Sequence, residues 1–433
     1  MNKTAKESSP RVLIISSLSL STGPAFIAGQ YYEALRRSGL NVDLLLKYSE
    51  PGRKDILYVF GKRKKNNFYL KVFNALKRRI LKNHNQKPGY GFDYRKENHP
   101  PVKTKTILDK INYKYDLVFV VFWQEMLSFE TIDKIYEKLH CQFQFSSVDF
   151  SQMSGGCHFT NGCIRYKTGC GCCPAYGSDD EHDFTAWNVA YREKIYAKVK
   201  PIVYGNNYMQ EFYKQSYLLK NARIETNSII IDTDIFKPLI ENSNRRKFGI
   251  PTKKVIIFFA SQNLTDERKG INYIIEALNL LYKKDSGIAE NIYVITAGLH
   301  HEKICNLIPF ENKGLGYVRM NELPSLFSIS RMFVCSSVND AGPMMVAQSL
   351  SCGTPVVGFD MGAIKDLVKG KGTGICVPLK NTEALSDGIE RIVRMQDDEY
   401  DIMTKRCRDV ALQYCSFEAQ AKQIINTYYK YCD

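Results

Sequence analysis

The apolar residues of this chain come in short runs, each followed by a polar or glycine-bearing turn. Val12–Ser16 reads Val-Leu-Ile-Ile-Ser, the pattern of a buried strand. A loop with Ser21, Thr22, Gly23 and Pro24 follows. Residues Phe26–Arg37 then have helical spacing, Gly39 stops them, and Val42–Leu46 is a second strand. Strand, loop, helix, strand is the βαβ unit of a parallel sheet. The pattern returns with strands at Leu117–Phe122 and Phe143–Val148 around a helix at Glu130–Leu139. It returns again over residues 253–380. There the strands are Val255–Ala260, Ile292–Ala297, Met332–Cys335 and Pro355–Phe359, and the helices Asn272–Lys283 and Met344–Ser351. Between the halves, Lys237-Pro238, Glu241–Lys247 and Pro251 have the composition of a polar linker. The prediction is an α/β protein of two doubly wound domains, 1–236 and 253–415. Residues 416–433 are expected as a terminal helix that packs back on the first domain. Ligands of such domains lie at the carboxyl ends of the strands, so the cleft between the two is the expected active site.

A length of 433 residues is consistent with two or three domains. The net charge of +15 is uneven. Arg53 to Lys87 holds twelve Lys or Arg residues against one acid, Asp55, and so supplies eleven of the fifteen. Within it Phe68, Val72, Phe73, Leu76 and Ile80 fall near helical spacing among lysines and arginines. That mixture suits an anionic membrane surface, with a solvated charged loop as the plainer alternative. No nucleic-acid recognition motif accompanies the charge, so nucleic acid is not an expected partner. Met1–Pro10 is polar, unlike a secretory signal, and no apolar run reaches about 18 residues. The expectation is a cytoplasmic protein, peripheral at the inner face of the cell membrane.

The segment from Ser336 to Asp360 carries the most specific chemistry. A strand ends near Ser336, a loop with Asp340 and Gly342 follows, and a helix opens at about Pro343. Proline suits a first helical turn, and unpaired N–H groups around Pro343, Met344 and Met345 would favour a pyrophosphate. Gln348, on the first turns, can bond hydroxyls. This segment, with its Gly353-Thr-Pro-Val-Val357, resembles the donor-binding signature of glycosyltransferase family 4, Glu-x7-Glu followed by Gly-Thr-Pro-Val-Val. Asp340 and Gln348 stand at the two Glu positions. Lys269 in Asp266-Glu-Arg-Lys-Gly270 matches the family's diphosphate-binding lysine. Asn263 stands where an arginine is usual, and Arg268 is the nearby substitute. Gly362 and Thr373-Gly374 match further family glycines. Ser228-Ile229 replaces the usual Asn-Gly turn. The resemblance implies a GT-B fold, two Rossmann-like domains facing a central cleft, and a retaining transfer from a nucleotide-sugar. In it the first acid lies by the donor sugar, the second position holds the ribose, and the loop of Gly23 faces the phosphates. The sugar-nucleotide epimerases are the competing site of similar fold. Bacterial surface-polysaccharide transferases are the nearest branch, implying a glycan or lipid-linked acceptor. A non-catalytic nucleotide-sugar or nucleic-acid binder is the alternative.

Residues 149–174 form a cysteine-rich insertion, with five of the chain's thirteen cysteines between Cys157 and Cys173. Cys157, Cys163, Cys170 and Cys173 are spaced C-x5-C-x6-C-x2-C, which four thiolates of a structural zinc could adopt. Reduced packing thiols, a disulfide pair and an iron–sulfur site are the alternatives. The stretch Gly155-Gly-Cys-His158 resembles an insertion in the same surface-polysaccharide branch. His158 is a candidate acceptor-side or sugar-contacting residue. Asp149 matches the aspartate of a His-Asp pair that the family often has at this strand end. Catalysis itself is expected to require no metal: leaving-group charge would fall to Lys269, Arg268 and the helix amides.

Overall fold

The computed structural model describes residues 9–18, 20, 26–62, 95–146 and 149–432. The loop of Gly23 and most of the basic stretch, from residue 63 to 87, lie outside the described residues. The chain divides into two compact units. One comprises residues 1–205, 209–226 and 421–433, the other 206–208 and 227–420.

The first unit is built on seven parallel strands: β1 (Val12–Ser16), β2 (Val42–Tyr48), β3 (Leu57–Phe60), β4 (Leu117–Val121), β5 (Gln142–Ser146), β6 (Ile202–Gly205) and β7 (Arg223–Thr226). Their order is β3-β2-β1-β4-β5-β6-β7, with Val12 in register with Val42 on one side and Leu117 on the other. All five residues of β1 and of β4 are buried, as strands covered on both faces must be. At the end of the chain, the helix Phe417–Lys430 brings residues 421–433 into this unit. There Gln142 donates to the Tyr428 carbonyl (3.2 Å) and Lys430 pairs with Glu225 (2.6 Å).

The second unit has six parallel strands: β8 (Val255–Asn263), β9 (Ile292–Leu299), β10 (Asn312–Gly314), β11 (Met332–Cys335), β12 (Val356–Phe359) and β13 (Gly374–Val377). Their order is β10-β9-β8-β11-β12-β13. Counted within the sheet this is 3-2-1-4-5-6, the doubly wound order, and the first six strands of the first sheet repeat it. Along β8, Ile256 and Phe258 enter one core cluster and Ile257 and Phe259 the other, so period-two alternation fills both faces.

The boundary expected at 236–252 falls elsewhere. Residues 227–252 belong to the second unit. Ile231 and Phe236 are buried in its core, and the Phe236 carbonyl accepts bonds from Ser351 Oγ (2.5 Å) and Arg408 (2.7 Å). The polar run that reads as a linker includes the helix Glu241–Phe248, ended by Gly249 at φ 61°. Among the described residues no helix is long and apolar enough to cross a membrane.

Candidate active site

In the second unit strand order reverses between β8 and β11, and a doubly wound sheet presents its ligand site at the carboxyl ends of such strands. A bulge between Ala260 and Asn263 ends β8. Asn263 Oδ1 then accepts the Thr265 N–H (3.0 Å) and hydroxyl (2.8 Å), a side-chain turn. Asp266 accepts the Arg268 N–H (3.1 Å) and pairs with the Arg268 guanidinium (2.6 Å). Arg268 thus has its counter-ion two residues away. Gly270 follows at φ 61°, where an added Cβ would run into the Ser336 carbonyl oxygen. That missing side chain lets the loop after β8 lie against the loop after β11. The contact is fastened by Val338 N–H to the Arg268 carbonyl (2.8 Å) and Ser336 Oγ to the Lys269 carbonyl (3.0 Å).

The result is an ion pair between Lys269 Nζ and Asp340 Oδ2 at the strand ends. Burial opposes the lysine's charge, but the Asp340 carboxylate outweighs it and holds the ammonium above its ordinary value. The other oxygen of Asp340 accepts the Gly342 N–H (3.1 Å). Gly362, at φ 51°, packs where a Cβ would meet Pro343 Cδ at 2.9 Å, keeping this loop against the next. The helix spans Met344–Ser351, as the apolar pattern predicts. Pro343 is its N-cap, with ψ 107°, because that residue is still extended when the loop turns. No side chain caps the helix, so its first-turn N–H groups, from Met344 and Met345 on, lack such a partner. Gln348 departs furthest from expectation. It is 1% exposed and its amide donates to Met320 Sδ (3.2 Å), so it is packed within the unit.

The first unit carries its candidates beyond β5. Asp149 is buried and accepts the Ser151 N–H (2.8 Å), Gln124 Nε2 (3.1 Å) and His158 Nδ1 (2.7 Å). The structure therefore joins Asp149 and His158, nine residues apart, into one pair. Beneath it, Arg192 and Glu97 form an ion pair with side chains only 3% and 5% exposed. Arg192 also donates to the carbonyls of Ser151 and Ser154, and Glu97 accepts the Phe129 N–H (2.8 Å). Asn188 holds the Gly155 carbonyl (2.8 Å), where an added Cβ would strike the Thr185 carbonyl. Gln124, Arg192, Glu97 and Asn188 escape a sequence reading because each acts far from the residues it positions. Asp183 had a signal: an aspartate just before a helix. It caps the helix Phe184–Val199 through Thr185 N–H (2.8 Å), and its other oxygen takes the Cys173 N–H (2.9 Å).

Cys157, Cys163, Cys170 and Cys173 line one cavity of about 20 Å³, together with Gly155 and Gly171. The Cys170 sulfur accepts the Gly155 N–H (3.4 Å), and the Cys157 thiol donates a hydrogen bond to the Cys173 sulfur, making Cys173 the more readily ionised of the two. The Cys172 thiol turns to the Asp179 carbonyl (3.3 Å). Among the described residues no group of three or more His, Cys, Asp or Glu side chains is gathered as ligands for a metal ion.

The two parallel α/β units define a GT-B fold. Residues 241–410 match the family model of glycosyl transferases group 1, a span that includes Lys269, Asp340 and Gln348. An uncharacterised glycosyltransferase of Methanocaldococcus jannaschii is 26% identical over 191 residues, 42% of this chain and 47% of that protein. The chain spans about half the length of the curated relatives it matches. Among the solved structures that share the fold are two further proteins. The Anabaena protein HepE in complex with UDP and glucose has a TM-score of 0.61 at 13% identity, over 97% of this chain and 100% of that one. WaaG, a glycosyltransferase involved in lipopolysaccharide biosynthesis, has a TM-score of 0.58 at 14% identity, over 96% and 99%.

Proposed function

We propose that this chain is a retaining glycosyltransferase that moves a sugar from a nucleotide-sugar to a glycan or lipid-linked acceptor in surface-polysaccharide synthesis. The observation that carries this reading is the Lys269–Asp340 pair before an uncapped helix, within the span that matches the glycosyl transferase model. A donor diphosphate would replace Asp340 as the partner of Lys269 and take the first-turn amides of Met344 and Met345. As the sugar–phosphate bond breaks, those groups stabilise the charge on the leaving diphosphate, and the acceptor attacks from the same face. Asp340, released from Lys269, lies by the donor sugar.

His158 and Asp149 are assigned to the acceptor. With Nδ1–H donated to Asp149, the imidazole keeps its basic nitrogen at Nε2, suited to a hydroxyl proton. WaaG supports the surface-polysaccharide setting, as a neighbour in fold. The basic stretch supports attachment to an anionic membrane face from the cytoplasmic side. The proposed steps use no metal. A structural zinc on Cys157, Cys163, Cys170 and Cys173 is a separate proposal, resting on their spacing and shared cavity. Metal analysis of the chain purified without added metal is expected to give about one zinc per chain; none in a folded, active sample leaves these thiols as packing groups.

The buried Gln348 favours a second reading, a nucleotide-sugar binder without turnover. Thermal-shift screening against UDP, GDP, ADP and their sugars, followed by donor turnover, separates the two. A selective shift with nucleotide release is the expected result. A shift without release under a broad set of acceptors favours the binder, and no shift with any nucleotide removes both.

A further inference from the structure

The second unit has a larger cavity at the other end of its sheet. It is about 580 Å³ and is lined by Val255 and Ile256 at the start of β8, Ser330 and Arg331 just before β11, and Thr354 just before β12. These are amino ends, whereas Lys269 and Asp340 follow the carboxyl ends of β8 and β11. The volume is that of a small-molecule site.

Its lining is strongly cationic. Arg245, Lys253, Lys254, Arg331, Lys405 and Arg408 border it, against one carboxylate, Asp409. Two acids farther out relieve part of the charge: Glu311 pairs with Lys254, and Asp397, almost fully exposed, with Arg331 (3.4 Å). Six cations against three acids leave the pocket at +3.

The guanidinium groups are held mainly by neutral carbonyls, which fix them without cancelling their charge. Arg245 donates to the carbonyls of Pro251 (2.7 Å) and Lys254 (2.9 Å). Arg408 bonds those of Phe236 (2.7 Å), Ser351 (2.8 Å) and Thr233 (3.0 Å). Arg331 donates to the Met395 carbonyl (2.6 Å) and lies 3.6 Å above the Tyr400 ring. Packing accounts for part of this: Arg408, for example, caps the carboxyl end of the helix Met344–Ser351. It does not account for Lys253 and Lys405, which are exposed, border the same cavity and have no ion pair among the described residues. Like charges around one cavity repel unless counter-charge lies among them.

We propose that this cavity is a second anion site that takes a soluble phosphorylated small molecule, apart from the donor site. Planar guanidinium groups already fixed by carbonyls suit phosphate oxygens, and the two exposed lysines add charge at the cavity's edge.

Calorimetric titration with inorganic pyrophosphate tests this. The chain carrying Lys269→Ala, which weakens the donor site, is compared with the same chain carrying Lys253→Glu and Lys405→Glu as well. The first is expected to bind about one equivalent saturably, and the second at least about tenfold more weakly with an unchanged melting temperature. Lys253→Met with Lys405→Met serves if the charge reversal disturbs folding. No saturable binding by the Lys269→Ala chain, or binding undiminished by both lysine replacements, overturns the proposal.

Discussion

The two units share a strand order but build their sites differently. In the second unit the candidate groups sit on the loops after two adjacent strands, β8 and β11, and backbone bonds hold those loops together. In the first unit the pair Asp149–His158 lies in an irregular loop, held by side chains from distant parts of the chain: Gln124, Arg192, Glu97 and Asn188. The second site is thus largely a property of its fold, and the first a property of one buried polar network. A single substitution should therefore disturb the first unit's architecture more than the second's, and the second unit's chemistry more than its architecture.

The largest expected effect is in the buried network. Arg192→Met leaves Glu97 ionised and unpaired in the interior and strips the Ser151 and Ser154 carbonyls of their donor. Breaking such a pair costs about 3–5 kcal/mol. Denaturant unfolding should show the loss in the first unit, while nucleotide binding by the second persists. Adding Glu97→Leu should recover part of the loss, because no buried charge is then left alone. A single-variant cost below about 1 kcal/mol, the range of exposed pairs, would contradict this picture of the network.

Next in size is Lys269→Ala. Loss of one preorganised group that meets transition-state charge lowers turnover by about 10²–10³. Stability should fall by less than for Arg192→Met, since the Asp340 side chain is partly exposed and keeps the Gly342 N–H. His158→Ala should cost about 10²-fold, the low end of what a positioned general base contributes. Donor turnover at saturating donor measures both. Near-normal turnover of the Lys269 variant would remove its assigned role, and a larger loss at His158 than at Lys269 would reverse the comparison between the units.

The same contrast explains what the sequence made legible. The strands β1, β4, β8 and β11 and the helix Met344–Ser351 announce themselves because each is a local apolar run with a local stop. Lys269 and Asp340, 71 residues apart, were singled out differently, each by a short motif that resembles the family's, and their pairing was not legible. Arg192 was not. It lies in a helix, Phe184–Val199, whose buried residues include Asn188 and Arg192 as well as Val189 and Ile195, so no clean apolar face marks it. The false linker at 236–252 has a like cause, since a short helix that ends in Arg-Arg-Lys has a linker's composition. The burial of Gln348 was not legible, because spacing gives its turn of the helix but not that Met320 covers it.

The smallest effect concerns the joint between scaffold and cysteine loop. Asp183 caps the helix Phe184–Val199 with one oxygen and holds the Cys173 N–H with the other. Burial works against its charge, but bonds from Thr185, Cys173 and Ala186 outweigh this and hold its carboxyl below the ordinary value of 3.8. A carboxyl lowered on folding adds stability above its unfolded value, and that stability fades as pH falls through the folded one. Asp183→Ala should therefore cost about 1 kcal/mol near neutral pH, a usual cap loss. The gap between variant and parent should hold steady from about pH 5 to 8 and close below about pH 4. Asp183→Asn keeps an acceptor for the cap but no charge, so its gap should be smaller and nearly independent of pH. Melting curves across this range decide the matter: a gap that widens in acid would mean that the carboxylate is not what ties the cysteine loop to its helix.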